Sequence, residues 1–145
     1  MIVSRTPCRI CLVGGGTDVR DFYQEEYGVV VTCALASYVY VLVNRRFDER
    51  IGVSGIASED CAMAADVRHP LVREALRASG VHQGVDIAAF SEVPEGTGLG
   101  SSSALTIGLL HALGRYREVR GGTCVLRRPR PTHSRRRPAP SRLSV

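Results

Sequence analysis

The chain contains no lysine and no tryptophan, so all of its 19 strongly basic residues are arginines. The absence of lysine excludes a Walker A phosphate loop, which requires a lysine directly after its last glycine. No apolar run reaches the length of a membrane span, and the N-terminus lacks the charged start and long apolar segment of a signal peptide. We therefore expect a cytoplasmic protein without a membrane partner, and its 145 residues suffice for one domain with a core.

Acidic residues are absent from residues 123–145, which contain seven arginines and four prolines. The other twelve arginines and all fourteen acids give residues 1–122 a net charge of −2, whereas the whole chain carries +5. The basic segment has no aromatic residue and no helical or strand period, so nucleic acid is not favoured as a partner. We expect a folded domain over residues 1–122 and a disordered tail over 123–145, whose composition is typical of GC-rich coding sequence read out of frame.

A disulfide framework and a histidine metal site are not expected either. The five cysteines are odd in number, and Cys8 and Cys11 fall in a predicted strand, where residues three apart point to opposite faces. We predict free thiols that are buried or half-buried. The histidines at 69, 82 and 111 show no ligand spacing.

What the chain does have is a loop rich in glycine and serine between Pro94 and Ala104. Alternating glycines allow successive backbone N–H groups to turn toward one bound anion. The serines begin a helical pattern that contains no acid from Ser101 to Leu110, so a phosphate can use the free N–H groups at the helix start. The spacing does not fit the dinucleotide fingerprint, which requires a third glycine where this chain has serine. The loop therefore predicts a phosphate site.

This loop resembles the phosphate loop of the GHMP small-molecule kinases, which has the run Pro-x-Gly-x-Gly-Leu-Gly-Ser-Ser. In that family the loop wraps the phosphates of ATP, and one of its serines helps to hold Mg²⁺. The resemblance implies Ser102 as the metal serine, with Ser101 and Ser103 as the other choices. The implied ATP-binding residues are Pro94, Gly96, Thr97, Gly98, Leu99, Gly100, Ser101, Ser102 and Ser103.

A second motif near the N-terminus is also similar to the GHMP kinases, whose first motif has an arginine, an apolar strand, a glycine-rich turn and Thr-Asp. The resemblance implies that Arg9 lies near the transferred phosphate and neutralises its charge. It implies that the turn binds the hydroxyls of a sugar or sugar phosphate through Gly15, Gly16, Thr17 and Asp18. Without the resemblance, a surface arginine and an aspartate that caps a short turn remain an alternative.

The rest of the chain predicts a mixture of strands and helices. Apolar alternation and punctuation by glycine and proline indicate the following elements: strands over 2–6, 9–13, 28–36, 37–44, 51–54 and 85–91, and helices over 70–79 and 101–116. Pro7 must lie at a sheet edge or bulge. The family resemblance implies an α+β fold, a two-layer, ribosomal-protein-like GHMP N-terminal domain that is truncated here and followed by the disordered tail.

Within the family, the Gly-Gly-Gly-Thr-Asp turn, the helix from Arg68 to Leu76 and the Thr97 loop are most similar to D-glycero-D-manno-heptose 7-phosphate kinases. The implied reaction transfers the γ-phosphoryl group of MgATP to a sugar hydroxyl. The family's acceptor base and acidic Mg²⁺ ligand follow the phosphate-loop helix, where this chain leaves the pattern. We therefore expect a truncated kinase with little activity alone, whose exposed apolar surface favours self-association.

Two other functions remain open from the sequence. The first is a non-catalytic module that binds a nucleotide or a sugar phosphate. The second is a serine hydrolase, because Gly100 to Ala104 approximates a nucleophile elbow with Ser102 as its nucleophile. A hydrolase also needs a later acid and a histidine, and the candidates are Glu118, His111 and His133.

Overall fold

The computed structural model describes residues 1–17 and 19–119. The predicted domain boundary at 122, the tail, Cys124, His133 and Asp18 lie outside these residues. The elements are, in chain order, β1 (Ile2–Val13), α1 (Arg20–Glu25), β2 (Val31–Arg45), β3 (Ile51–Ser54), β4 (Glu59–Cys61), a 3₁₀ turn (Ala64–Asp66), α2 (Pro70–Ser79), β5 (Val85–Ser91) and α3 (Ser101–Val119). They confirm the α+β fold class.

Five strands form one mixed sheet in the order β1-β2-β5-β3-β4. The strands β3 and β5 pair in parallel, and the other neighbours are antiparallel. Because β1 is an edge strand, Pro7 can lie in it without removing an interior hydrogen bond, and the pairing with β2 shifts register between Pro7 and Arg9. The predicted edge position and bulge are both confirmed.

One face of the sheet packs against α2 and α3 and forms the core. Alternate residues of β2 are almost completely buried there, since Val39, Val41 and Val43 have exposed fractions of 1%, 0% and 0%. Leu109 and Leu113 of α3 are also fully buried. At Gly108 the helix approaches the sheet so closely that a Cβ would lie 3.0 Å from Val41 Cγ2. The alternation in β2 thus determines which face of the sheet receives the helices.

The helix α2 begins and ends where the sequence predicts. His69 is its N-cap, Pro70 occupies the first turn, and Gly80 ends it with a φ of 68° in the left-handed region. The N–H of Gly80 donates to the carbonyl of Arg77. Each of these signals lies within the helix or next to it, so the local sequence suffices to define its length.

Several elements differ from the sequence prediction. The predicted strands over 2–6 and 9–13 form a single strand, β1, which continues through the irregular pairing after Pro7, and the helix α1 was not predicted. The two predicted runs over 28–36 and 37–44 form a single strand, β2, which pairs with β1 on both sides of the irregular residues 35–37. The short strand β4 was not predicted, since it forms through its pairing with β3. The helix α3 extends beyond the predicted end at Tyr116 to Val119, and the buried Tyr116 hydroxyl donates to the Gly84 carbonyl at 2.9 Å.

The far end of the β1–β2 hairpin extends away from the core, and we call residues 10–17 and 19–31 the hairpin end. It contains α1, in which none of the described residues is buried, and it exposes Leu12, Tyr27 and Val31 at 58%, 96% and 50%. Cys8 is buried and Cys11 and Cys61 are half-buried free thiols, as predicted, but Cys33 on the hairpin is exposed. No helix in the described ranges is long and apolar enough to cross a membrane.

Candidate phosphate and nucleotide site

The predicted phosphate loop lies between the end of β5 and the start of α3. Gly96, Gly98 and Gly100 have φ values of 77°, 72° and 71°, which side chains other than glycine adopt at a cost. The space that a Cβ would occupy at Gly96 and Gly98 is open to at least 4 Å. The first turn of α3 contains no acid. The loop therefore has the backbone shape and the charge that suit an anion at a helix N-terminus.

Glu92 fixes the start of the loop against β2. Its carboxylate accepts hydrogen bonds from the Tyr38 N–H at 2.8 Å and from the Tyr40 hydroxyl at 3.1 Å, while its own N–H donates to the Tyr38 carbonyl at 3.0 Å. Partial desolvation and the hydrogen bond to Glu92 raise the pKa of Tyr40. Further along, the Thr97 hydroxyl donates to the Pro94 carbonyl at 3.0 Å. These bonds attach the start of the loop to β2 and close its first turn.

The structure brings Arg9 to the phosphate loop. Its N–H donates to the Leu99 carbonyl at 3.0 Å, and its side chain passes Gly100 so closely that a Cβ there would lie 3.1 Å from Arg9 Cγ. Among residues 1–17 and 19–119 no carboxylate forms an ion pair with Arg9. Its guanidinium is therefore available beside the loop. Its predicted contact with a phosphoryl group stays a prediction.

The glycine-rich turn lies further along β1. Gly14 ends that strand, at a distance from Arg9 of about 16 Å at the usual rise of an extended chain. The Thr17 hydroxyl lies 2.8 Å from the Gly14 carbonyl and accepts the Val29 N–H at 3.1 Å. The Thr17 side chain thus closes the turn through hydrogen bonds with the backbone of Gly14 and Val29. Substrate binding by Gly15, Gly16, Thr17 and Asp18 stays a prediction, and Asp18 is not among the described residues.

A cavity of about 180 Å³ adjoins the phosphate loop and was not predicted. It lies between the first turns of α2 and α3, with buried apolar residues at its floor and polar residues at its rim. Its lining residues are Val39, Ile56, His69, Pro70, Leu71, Ser91, Glu95, Ser101, Ser102 and Leu105. The phosphate loop and the cavity share Ser101 and Ser102, so one ligand can occupy both.

Glu59 holds the segment that brings His69 to this cavity. Its two carboxylate oxygens accept the backbone N–H groups of Arg68 at 2.6 Å and of His69 at 3.1 Å. The His69 ring then accepts the Val72 N–H at Nδ1, at 3.4 Å. Sequence reasoning missed this arrangement because Glu59 and His69 belong to different elements. The His-Pro pair at the helix start was the one signal that could have drawn attention to it.

The residues around the loop fit a magnesium ion that is bound mainly by phosphates. No group of three or more His, Cys, Asp or Glu side chains in the described ranges could hold a metal. Ser102 is exposed at the start of α3, and its carbonyl accepts the Thr106 hydroxyl at 2.8 Å. Mg²⁺ is commonly held by few protein oxygens together with substrate phosphates and waters. The loop therefore suits Mg²⁺ that arrives with a nucleotide.

The geometry around Ser102 does not show a hydrolase triad. His111 lies nine residues further along α3, which corresponds to about 13 Å of helix, and it lines a different groove. His69 lines the same cavity as Ser102, but its Nδ1 accepts a backbone N–H instead of facing an orienting carboxylate. Within the described residues, no nucleophile–histidine–acid chain connects to Ser102.

Comparison with known proteins agrees with the fold and the loop. Residues 63–122 match the model of the GHMP kinases N terminal domain. The chain is 24% identical over 130 residues to a D-glycero-alpha-D-manno-heptose 7-phosphate kinase of Campylobacter jejuni, an alignment that covers 79% of this chain and 38% of that protein.

Two solved structures show the same fold. A D-glycero-D-manno-heptose 1-phosphate kinase from Bacteroides thetaiotaomicron superimposes with a TM-score of 0.67 at 18% identity, over 85% of this chain and 50% of that one. A Streptococcus pneumoniae phosphomevalonate kinase in complex with phosphomevalonate and AMPPNP gives a TM-score of 0.60 at 18% identity, over 78% and 36% of the two chains.

The chain thus spans half or less of the length of these relatives. The matched region begins just before α2 and includes the phosphate loop and α3, so the motif that predicted the family lies inside the family match. The described residues thus have the fold of these kinases, and residues 63–122 are similar to the GHMP kinases N terminal domain.

Proposed function

We propose that this chain binds MgATP and contributes the nucleotide-binding part of a sugar kinase. The observation that carries the proposal is the phosphate loop, in which three alternate left-handed glycines lead into the start of α3. Such a loop directs N–H groups at one anion, and the absence of acid in the first helical turn leaves the positive end of the helix dipole uncompensated.

Residues of this chain have distinct tasks in the proposed complex. The loop from Gly96 to Ser103 surrounds the phosphates with N–H donors, and Ser102 supplies one oxygen to Mg²⁺. Mg²⁺ neutralises charge on the transferred phosphoryl group when it is bound. Arg9 adds a positive charge beside Gly100, where it forms no ion pair with a carboxylate of the described residues. Phosphoryl transfer depends mainly on such positioning and neutralisation.

The adjoining cavity is where we propose that the base of the nucleotide binds. Its volume of about 180 Å³ is slightly larger than the apolar cavity of about 150 Å³ that accepts a benzene molecule. One ring of a two-ring base therefore fits between the apolar floor and the polar rim, and the other ring extends through the open side of the cavity. The phosphates then extend toward the glycines, because Ser101 and Ser102 border both spaces.

The acceptor that we propose is a hydroxyl of a heptose phosphate or a similar sugar, bound near Gly15, Gly16, Thr17 and Asp18. The names of the Campylobacter and Bacteroides relatives support this substrate class. The chain covers 38% and 50% of these relatives, and we propose that the acceptor base and an acidic Mg²⁺ ligand come from the part that it does not match. On its own the chain then binds MgATP but transfers phosphate poorly.

A non-catalytic nucleotide-binding module is the alternative that this incomplete match supports. The two functions differ in one observable, which is ATP-dependent phosphorylation of a heptose phosphate after the chain is mixed with the unmatched part of the Campylobacter relative. Phosphorylation in the mixture supports the kinase. Its absence, with MgATP binding intact, supports the module.

Thermal unfolding of the full chain with and without MgATP tests the binding site. A ligand that binds the folded state adds about 2.7 kcal/mol at a hundredfold excess over its Kd. In a domain of this size, that raises Tm by roughly 10 °C. We expect Gly98→Val to abolish the rise, because valine is strongly disfavoured at a φ of 72°.

Gly98→Asn is the matched control, because asparagine adopts the left-handed region roughly several times more readily than most residues other than glycine. It should retain part of the rise in Tm. A rise of equal size in the unaltered chain and in Gly98→Val would contradict binding at this loop.

A further inference from the structure

We propose that His69 is a specificity-determining residue, whose Nε2–H donates a hydrogen bond to an acceptor atom of the nucleotide base. This inference rests on the proposed function and adds a role to a residue whose spacing in the sequence shows no ligand pattern. It depends on three observations: the tautomer of the ring, the rigidity of its support and its position in the cavity.

The hydrogen bond at Nδ1 decides the tautomer. Val72 N–H donates to His69 Nδ1 at 3.4 Å, so Nδ1 carries a lone pair and the proton of the neutral ring lies on Nε2. The two nitrogens point in different directions from the ring, and the Nε2–H therefore points away from the helix backbone. No residue in the described part of the chain forms a hydrogen bond with Nε2.

The backbone is held in place on both sides of the His69 side chain. Glu59 accepts the backbone N–H of His69 at 3.1 Å, and Pro70 has a fixed φ at the start of α2. The ring is then held by the Val72 N–H. A donor that is already held in place loses little conformational entropy on binding, so its hydrogen bond contributes more to affinity.

The position of His69 links it to the phosphate loop. It lines the cavity of about 180 Å³ together with Ser101 and Ser102, and the floor is formed by Leu105 and Val39, which are 5% and 1% exposed. A base that packs on this apolar floor is in the same cavity as the imidazole. A ligand without a base, such as tripolyphosphate, reaches the glycines but offers nothing to His69.

This difference between ligands supplies the test. We would measure the affinity of the full chain for magnesium tripolyphosphate and for MgATP by isothermal titration calorimetry, in the unaltered protein and in His69→Asn. Asparagine is among the best N-cap residues, so the variant should preserve α2 and its melting temperature. We expect MgATP to bind about three- to tenfold more weakly to the variant, as for one neutral hydrogen bond, and tripolyphosphate to bind equally.

His111→Asn is the matched control, because His111 lies in a separate groove with Ile2 and Arg115 and should leave both affinities unchanged. Equal weakening of both ligands by His69→Asn, or no weakening of MgATP, would overturn the role of His69. If neither ligand binds to the unaltered chain, the proposed function itself has failed.

A measurement on the unaltered chain keeps the proposal testable if His69→Asn does not fold. The ¹⁵N resonance of His69 Nε2 should move on addition of MgATP and stay in place with tripolyphosphate. The same response to both ligands, or none to either while both bind, would show that the ring does not contact the base.

Discussion

Arg46 is the centre of a group of charges on the outer surface of the sheet. Its guanidinium lies 2.6 Å from Asp48, 3.1 Å from Asp86 and 3.5 Å from Asp60. The hydrogen bond from Arg46 is the main cause that lowers the pKa of Asp48. The same hydrogen bond raises the pKa of Arg46 above its ordinary value. Because the aspartates are about half exposed, this group has a modest effect on the free energy of unfolding.

The pH dependence of the Asp48 contribution follows from the direction of its shift. The folded-state pKa is below the ordinary value of 3.8, so the stabilisation is fully present above that value and is lost as the pH falls through the folded pKa. We expect Asp48→Asn to lower the free energy of unfolding at pH 5–7. Urea unfolding at a series of pH values should show this loss shrinking toward zero below about pH 4.

Glu49→Gln is the control for this experiment, since Glu49 is an exposed neighbour without an ion pair in the described residues. A deficit in Asp48→Asn that persists unchanged at the lowest pH would show that the loss comes from packing and not from the carboxylate charge.

At the scale of elements, the contact between α3 and β2 depends on a missing side chain. A Cβ on Gly108 would lie 3.0 Å from Val41 Cγ2 and 3.1 Å from Thr6 Oγ1. Alanine would favour the helix by about 1 kcal/mol, but forcing a methyl group into a packed core costs about 1–3 kcal/mol. We expect Gly108→Ala to destabilise the protein by about 1 kcal/mol.

A double-mutant cycle with Val41→Ala measures the cause of that loss. Truncation of Val41 removes the methyl group nearest to the new Cβ, so Gly108→Ala should cost less in the Val41→Ala background, by about 1 kcal/mol. Urea unfolding of the four proteins gives the coupling. Stabilisation by Gly108→Ala in the unaltered background would mean that the helix can move away from the sheet.

Local signals explain which elements the sequence could predict. The bounds of α2 were predictable because His69, Pro70 and Gly80 act within one turn of its ends. The strand β4 was not, because its short polar sequence becomes a strand through pairing with β3, as Gly52 pairs with Asp60.

The same distinction applies to the site. The phosphate loop is a continuous run of sequence, and its alternating glycines indicate a backbone with positive φ angles. Its residues could therefore be predicted together. The cavity beside it could not, because it is assembled from β2, β5, α2, α3 and the segments between them. In the same way, the contact of Arg9 with Leu99 joins residues 90 positions apart in the sequence.

At the scale of the whole molecule, the hairpin end lacks apolar partners among the described residues. Leu12 and Val13 are 58% and 66% exposed, and Val13 pairs with the half-exposed Val31 across the hairpin. Exposed apolar side chains of this kind favour association. We therefore expect the isolated chain to self-associate through this end, with a sedimentation coefficient that rises with protein concentration.

Leu12→Ser should reduce this concentration dependence in sedimentation velocity experiments, because it replaces an apolar contact with a hydrated hydroxyl. Val3→Ser is the matched control: Val3 is 54% exposed on the same strand, outside the hairpin end. Equal behaviour of the two variants would show that association uses another surface.

The left-handed glycines of the phosphate loop also limit how its gene can change. One nucleotide substitution in a glycine codon can give alanine, valine, serine, cysteine, arginine, tryptophan, aspartate or glutamate, but not asparagine. Of these, aspartate tolerates the backbone of Gly96, Gly98 and Gly100 best, and it would place a negative charge against a bound phosphate. Every amino-acid change within one mutational step therefore strains the backbone or would repel the phosphate of the proposed complex, so the gene must cross an unfavourable intermediate to alter this loop.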